Sequence, residues 1–127
     1  MSQDPYADET RERWGNTDAY RQSRERMKRY TDEDIELAKK QSAAAVDLLI
    51  EAMEQGLPAD SALAAEGAEA HRQAITDWWY DCSYDMQVNL AQMYLVDSRF
   101  RAFYDDIRPG LAQYVHDAIV ANAIDRV

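Results

Sequence analysis

Four glycines and three prolines in 127 residues leave little material for tight hairpins or long irregular loops, which argues against a turn-rich β-sandwich. The single cysteine, Cys82, has no partner for an internal disulfide, and a chain of this length can bury enough surface to fold without staples. His71 and His116 are the only histidines, far apart in sequence, and neither C-x-x-C nor H-E-x-x-H occurs, so neither a metal site nor a cofactor is expected. The glycines, at 15, 56, 67 and 110, are isolated and make no phosphate-binding loop. No apolar run approaches the ~20 residues of a membrane-crossing helix. The first residues, Met1 to Tyr6, have neither the basic start nor the apolar centre of a signal peptide, and the expectation is a cytoplasmic protein.

Positive charge is also scarce. The net charge is −10, yet residues 1–30 carry seven Arg and Lys against six Asp and Glu, a net +1, so residues 31–127 carry −11. An acidic body of this kind argues against direct nucleic-acid binding, which a basic face drives. Arg21, Arg24, Arg26, Lys28 and Arg29 form a basic cluster opposed only by Glu25. It can lie against the acidic body or form a solvated helix face.

What the chain has is helical periodicity. Residues 1–16 bury little alone, and residues 17–30 form a weak helix with a thin stripe of Tyr20, Met27 and Tyr30. Thr31 caps a long helix, with Asp32, Glu33 and Asp34 in its first turn and a stripe through Ile35, Ala38, Ser42, Ala45, Leu49 and Met53. It stops at Gly56, before Pro58. Ser61 caps a third, alanine-rich helix through Trp78, and Ser83 a fourth that ends near Asp97. A short helix carries Phe100, Phe103, Tyr104 and Ile107, and Pro109 is placed as the first residue of a final helix with Leu111, Tyr114 or Val115, Ala118 and Asn122 on its stripe, supported by Ile119. The fold class is therefore all-α, with five core helices preceded by one or two weak N-terminal ones.

Catalytic patterns are weak. Cys82 can be paired with either histidine, but one thiol and two histidines coincide by chance in many helical proteins, so no enzyme is expected. Asp105 and Asp106 read as helix-end charges rather than as an acid/base pair. The distinctive inventory is three Trp, eight Tyr, two Phe and five Met, which suits either a pocket for a bulky apolar ligand or a well-filled core. It concentrates between Trp78 and Tyr94. There Met86, Asn89 or Leu90, and Met93 share a helix face, with Cys82 just before the first turn. The same spacing suits a plain core helix with an inert cysteine.

One pattern runs through nearly the whole chain. It begins at Arg13-Trp14-Gly15-Asn16-Thr17-Asp18-Ala19-Tyr20-Arg21-Gln22-Ser23 and continues through Gly56-x-Pro58-Ala59-Asp60-Ser61, Glu69-x-His71-Arg72-Gln73 and Tyr80-Asp81-Cys82-x-Tyr84-x-Met86. It ends with Met93-Tyr94-x-x-Asp97-x-Arg99-Phe100, Pro109-Gly110-Leu111-Ala112-x-Tyr114 and Asp117-Ala118-Ile119-x-Ala121-Asn122-Ala123. It resembles the TipAS antibiotic-recognition domain of MerR-type drug-responsive regulators, which also occurs alone. The resemblance implies a globin-like helical domain without haem that binds thiopeptide antibiotics such as thiostrepton. It further implies an N-terminal segment, residues 1–30, that folds over drug held by a core of residues 31–127. Trp14, Tyr20, Trp78, Tyr80, Cys82, Met86, Asn89, Met93 and Tyr94 are then expected around the cleft. The family's capturing cysteine, whose thiolate adds to a dehydroalanine of the drug, aligns with Asn89, so reversible binding is expected. The rival expectation is a helical protein-interaction module of such a regulator, without a drug ligand.

Overall fold

The computed structural model describes residues 17–126, with side chains to residue 124; Trp14, and any helix before Thr17, lie outside the described residues. Six helices follow one another: α1 (Asp18–Met27), α2 (Asp32–Glu54), α3 (Ala62–Trp78), α4 (Tyr84–Val96), α5 (Ser98–Ile107) and α6 (Leu111–Arg126). The described residues contain no strand. This is the expected all-α order, one weak helix followed by five.

Local chemistry sets most boundaries. Thr31 Oγ1 accepts from Asp34 N–H while the Asp34 carboxylate accepts from Thr31 N–H, a reciprocal cap that satisfies two donors at the start of α2. Ser61 and Ser83 cap α3 and α4 with a single bond each, their hydroxyl oxygens accepting from Ala64 and Met86 N–H. At the end of α2, Gly56 adopts φ +71°, and Leu57 N–H turns back to the Ala52 carbonyl at 3.0 Å. The start of α6 differs from expectation. Pro109 is not its first residue, because Gly110 follows at φ +87° and the helix begins at Leu111. Asp105 of α5 supplies the missing cap, its carboxylate accepting from Ala112 N–H at 3.0 Å.

Helix α6 is the centre, contacted by α2, α3, α4 and α5. Leu111, Val115 and Ile119 on it are completely buried, as is Leu49 of α2. Helices α2 and α3 pack against each other, and Ala64, Ala68 and Ala74 of α3 are all buried. At Gly67 the approach is tight: an added Cβ would sit 2.8 Å from Leu49 Cγ. Two expected core faces shift. Ser42 is exposed, and the inward stripe of α2 runs through Ala38, Ala45, Val46, Leu49 and Ala52. On α5 only Tyr104 is buried, while Phe103 is 61% and Ile107 51% exposed.

Candidate functional site

Several of the expected site residues lie at the α3–α4 junction or on α4. Residues 79–83 leave α3 and enter α4, and their backbone is held on both sides of Cys82. Thr76 Oγ1 accepts from Cys82 N–H at 3.1 Å, and Arg72 donates to the Cys82 carbonyl at 2.9 Å. The Arg72 guanidinium lies 4.3 Å over the Tyr84 ring and pairs with Glu69 at 2.6 Å. Glu69 also accepts from the Tyr84 hydroxyl at 3.1 Å and, through its other oxygen, from Asn122 at 3.0 Å. Burial alone would raise its carboxyl pKa, but the bonds from Arg72, Asn122 and Tyr84 outweigh burial and lower it. The partly buried cluster therefore ties α3, α4 and α6 together with an ionised carboxylate at its centre.

Cys82 itself is 3% exposed, and burial pushes its thiol up to about 11 against the opposing pull of Arg72. It is a protonated, shielded group, poorly suited to nucleophilic work. Tyr80 and Tyr94 are its electrostatic neighbours, and burial raises both phenols well above their ordinary value. The structure thus brings Tyr80, Cys82 and Tyr94 together. On α4, Met86, Leu90 and Met93 are half-buried and Asn89 is exposed, a partly open thioether face. Trp78 points elsewhere: its indole N–H donates to Gln41 of α2 at 2.6 Å, and its ring meets Tyr30 edge-on at 5.5 Å. Tyr20 is half-buried on α1 beside Arg24.

Beneath this face runs a polar chain that the periodicity did not reveal. Gln87 of α4, completely buried, donates to the Ala68 carbonyl at 2.8 Å and to His71 Nδ1 at 3.0 Å. His71 is then the Nε2–H tautomer, donating to the Tyr94 hydroxyl at 3.3 Å. The Tyr94 and Tyr104 rings pack at 5.0 Å. Burial lowers the His71 pKa from 6.5 to about 4, so the ring is neutral at physiological pH. The unfolded chain takes up this proton first. Between pH 6.5 and 4 the unfolded state holds more protons, and stability falls as pH falls, by about 3 kcal/mol at most from this group. Denaturant unfolding over that range should show the loss, and the His71 ring resonances should not titrate above about pH 5.

Glu69 and Arg72 stand three residues apart on α3, but Tyr84 and Asn122, which complete the cluster, come from other helices that no spacing rule connects to them. Among the described residues, no group of three or more His, Cys, Asp or Glu could hold a metal ion, and no helix is long and apolar enough to cross a membrane.

Residues 6–122 match the TipAS antibiotic-recognition domain. The HTH-type transcriptional activators TipA of Streptomyces coelicolor and Streptomyces lividans are each 47% identical over 121 residues, covering 95% of this chain and 48% of theirs. The chain thus spans about half the length of these relatives. Among solved structures, TipAS of Streptomyces lividans in complex with nosiheptide, from a thiopeptide antibiotic multidrug resistance system, superposes with a TM-score of 0.91 at 45% identity. That match covers 100% of this chain and 89% of the other. The antibiotic-binding domain of a TipA-class multidrug resistance transcriptional regulator gives 0.66 at 40% identity, over 71% of this chain and 96% of that one.

Proposed function

The chain belongs to the TipAS antibiotic-recognition domain family, and from that premise we propose that it captures thiopeptide antibiotics reversibly and without catalysis, for drug sensing or sequestration. The observation that supports this most is the partly open face of Met86, Asn89, Leu90 and Met93 beside the shielded Cys82. It offers polarisable apolar surface and one amide to a broad peptide-like ligand, and no competent nucleophile. Residues 1–30, with Trp14 and Tyr20, act as the closing segment over a core of residues 31–127. In a longer regulator, closure would be passed to a DNA-binding half; alone, the domain would hold drug in the cytoplasm.

Calorimetric titration with nosiheptide, followed by intact mass, tests this. Saturable binding with a negative heat-capacity change and no added mass is expected, because apolar surface is buried and no bond forms. An added mass in the wild-type chain would overturn reversibility. Absence of binding would remove thiopeptides and leave the helix-docking module as the better reading.

A further inference from the structure

Exposed apolar side chains mean little when scattered and more when they share a face. Among the described residues, Met27 on α1, Leu37 on α2 and Ile124 on α6 stand exposed one to a helix. Four others crowd together. Val96, 83% exposed, closes α4, and Phe100, Phe103 and Ile107 follow on α5 at steps of three and four, so those three share one helix face. Tyr104 turns inward from the edge of that face, its ring 5.0 Å from Tyr94 and 5.2 Å from the Phe103 ring. Phe103 is thereby held in place, and a partner would cost it little side-chain freedom.

The charges beside the face are ordered as well. Arg99 and Arg101 lie in the first half of α5, Asp105 and Asp106 in the second. A lone helix gains nothing from this order, because the macrodipole favours acids at the start and bases at the end, and α5 has neither. Arg101 does pair with Asp105 at 3.6 Å, but base before acid is the weaker arrangement within a helix. The order suits an antiparallel neighbour of the same sequence. Arg99 and Asp106 are seven residues apart, about two turns, and so flank the apolar face on one side. A two-fold axis near Phe103 then sets Arg99 of each copy against Asp106 of the other, and in the same register Phe100 falls between Phe103 and Ile107 of the second copy.

We propose that α5 is a self-pairing surface whose occupant is a second copy of this chain, joined antiparallel through Phe100, Phe103 and Ile107 and framed by Arg99 and Asp106. The contact is isologous, so it closes at two copies. It is also weak. Ten residues of helix span about 15 Å, less than a stable dimer needs to cover, and the dissociation constant is on the order of 100 µM. Self-pairing stands apart from ligand capture, and no ligand enters its test.

Sedimentation velocity of the whole chain, over roughly two decades of concentration around that value, should show a monomer giving way to a dimer. Phe103→Glu puts a charge near the two-fold axis and should raise the dissociation constant about tenfold or more. Phe103 is 61% exposed, so the melting midpoint of that variant should not move. Asp106→Arg sets arginine against arginine and should weaken pairing about fivefold. Adding Arg99→Asp to Asp106→Arg restores opposite signs and should recover it. A chain that stays monomeric throughout would overturn self-pairing and leave the face to the other half of a longer chain. A dimer untouched by Phe103→Glu would overturn it as well, since the contact then lies elsewhere. Pairing that Phe103→Glu abolishes but both charge variants leave unchanged would overturn the antiparallel register.

Discussion

Asn89→Cys is expected to convert reversible capture into covalent capture. The resemblance places the family's capturing cysteine at this position, and the structure leaves Asn89 exposed on the open face of α4. A thiol there keeps a near-normal pKa of about 8.5, with a few per cent thiolate at neutral pH. Cys82, held to about 11 by burial, has about one thiolate in ten thousand. With a thiopeptide carrying a dehydroalanine tail, the new sulfur would bond to the terminal alkene carbon while the adjacent carbon takes a proton from water. Nothing leaves. The variant's intact mass should rise by one antibiotic, faster at higher pH, and Cys82→Ser should not prevent it. An Asn89→Cys chain that binds the drug yet stays unmodified would show that position 89 lies out of reach of the tail.

The largest loss of stability is expected where α2 meets α3 at Leu49 and Gly67. Leu49 is completely buried, and its side chain lies directly over Gly67. Leu49→Ala should cost about 3–5 kcal/mol, because it removes buried methyl groups and leaves a cavity that rigid helices close poorly. Gly67→Ala fails for the opposite reason. Its Cβ would sit 2.8 and 3.0 Å from two Leu49 side-chain carbons and 3.2 Å from the Leu49 backbone nitrogen. The side chain can turn away, but the backbone cannot, so about 1–3 kcal/mol is expected after setting the strain against the helix propensity gained. Urea unfolding of both variants and their double mutant would separate the effects. In the double mutant the Gly67→Ala penalty should shrink, since alanine at 49 vacates the space, and simple additivity would show that the contact is not what makes Gly67 necessary.

Helix ends were legible because their chemistry is local. Thr31, Ser61, Ser83 and Gly56 each act within a few residues of themselves, and each stands where the sequence placed it. The start of α6 was not, since the group that caps it, Asp105, belongs to the preceding helix. Helix α4 shows a second limit. Its polar residues do not share one face: Asp85, Asn89 and Gln92 are exposed while Gln87 stands opposite them, so periodicity does not announce a polar side chain turned inward. Gln87 is the residue that goes to the centre, because His71 and the Ala68 carbonyl wait there. Three of the expected site residues, Tyr80, Cys82 and Tyr94, do gather, whereas Trp78 turns toward α1 and α2 to satisfy its indole N–H. That choice depends on Gln41, which no spacing rule connects to it.

The junction around Trp78 has a consequence of its own. Two of the three tryptophans are consecutive there, with the Tyr30 ring 5.5 Å from one and 6.1 Å from the other. At such separations an excited phenol hands its energy to an indole before it can emit. The molecule therefore carries an optical gauge at the seam between α1 and the body. Withdrawal of α1 would restore tyrosine emission and expose the indoles to water, shifting their light to the red, with no label attached.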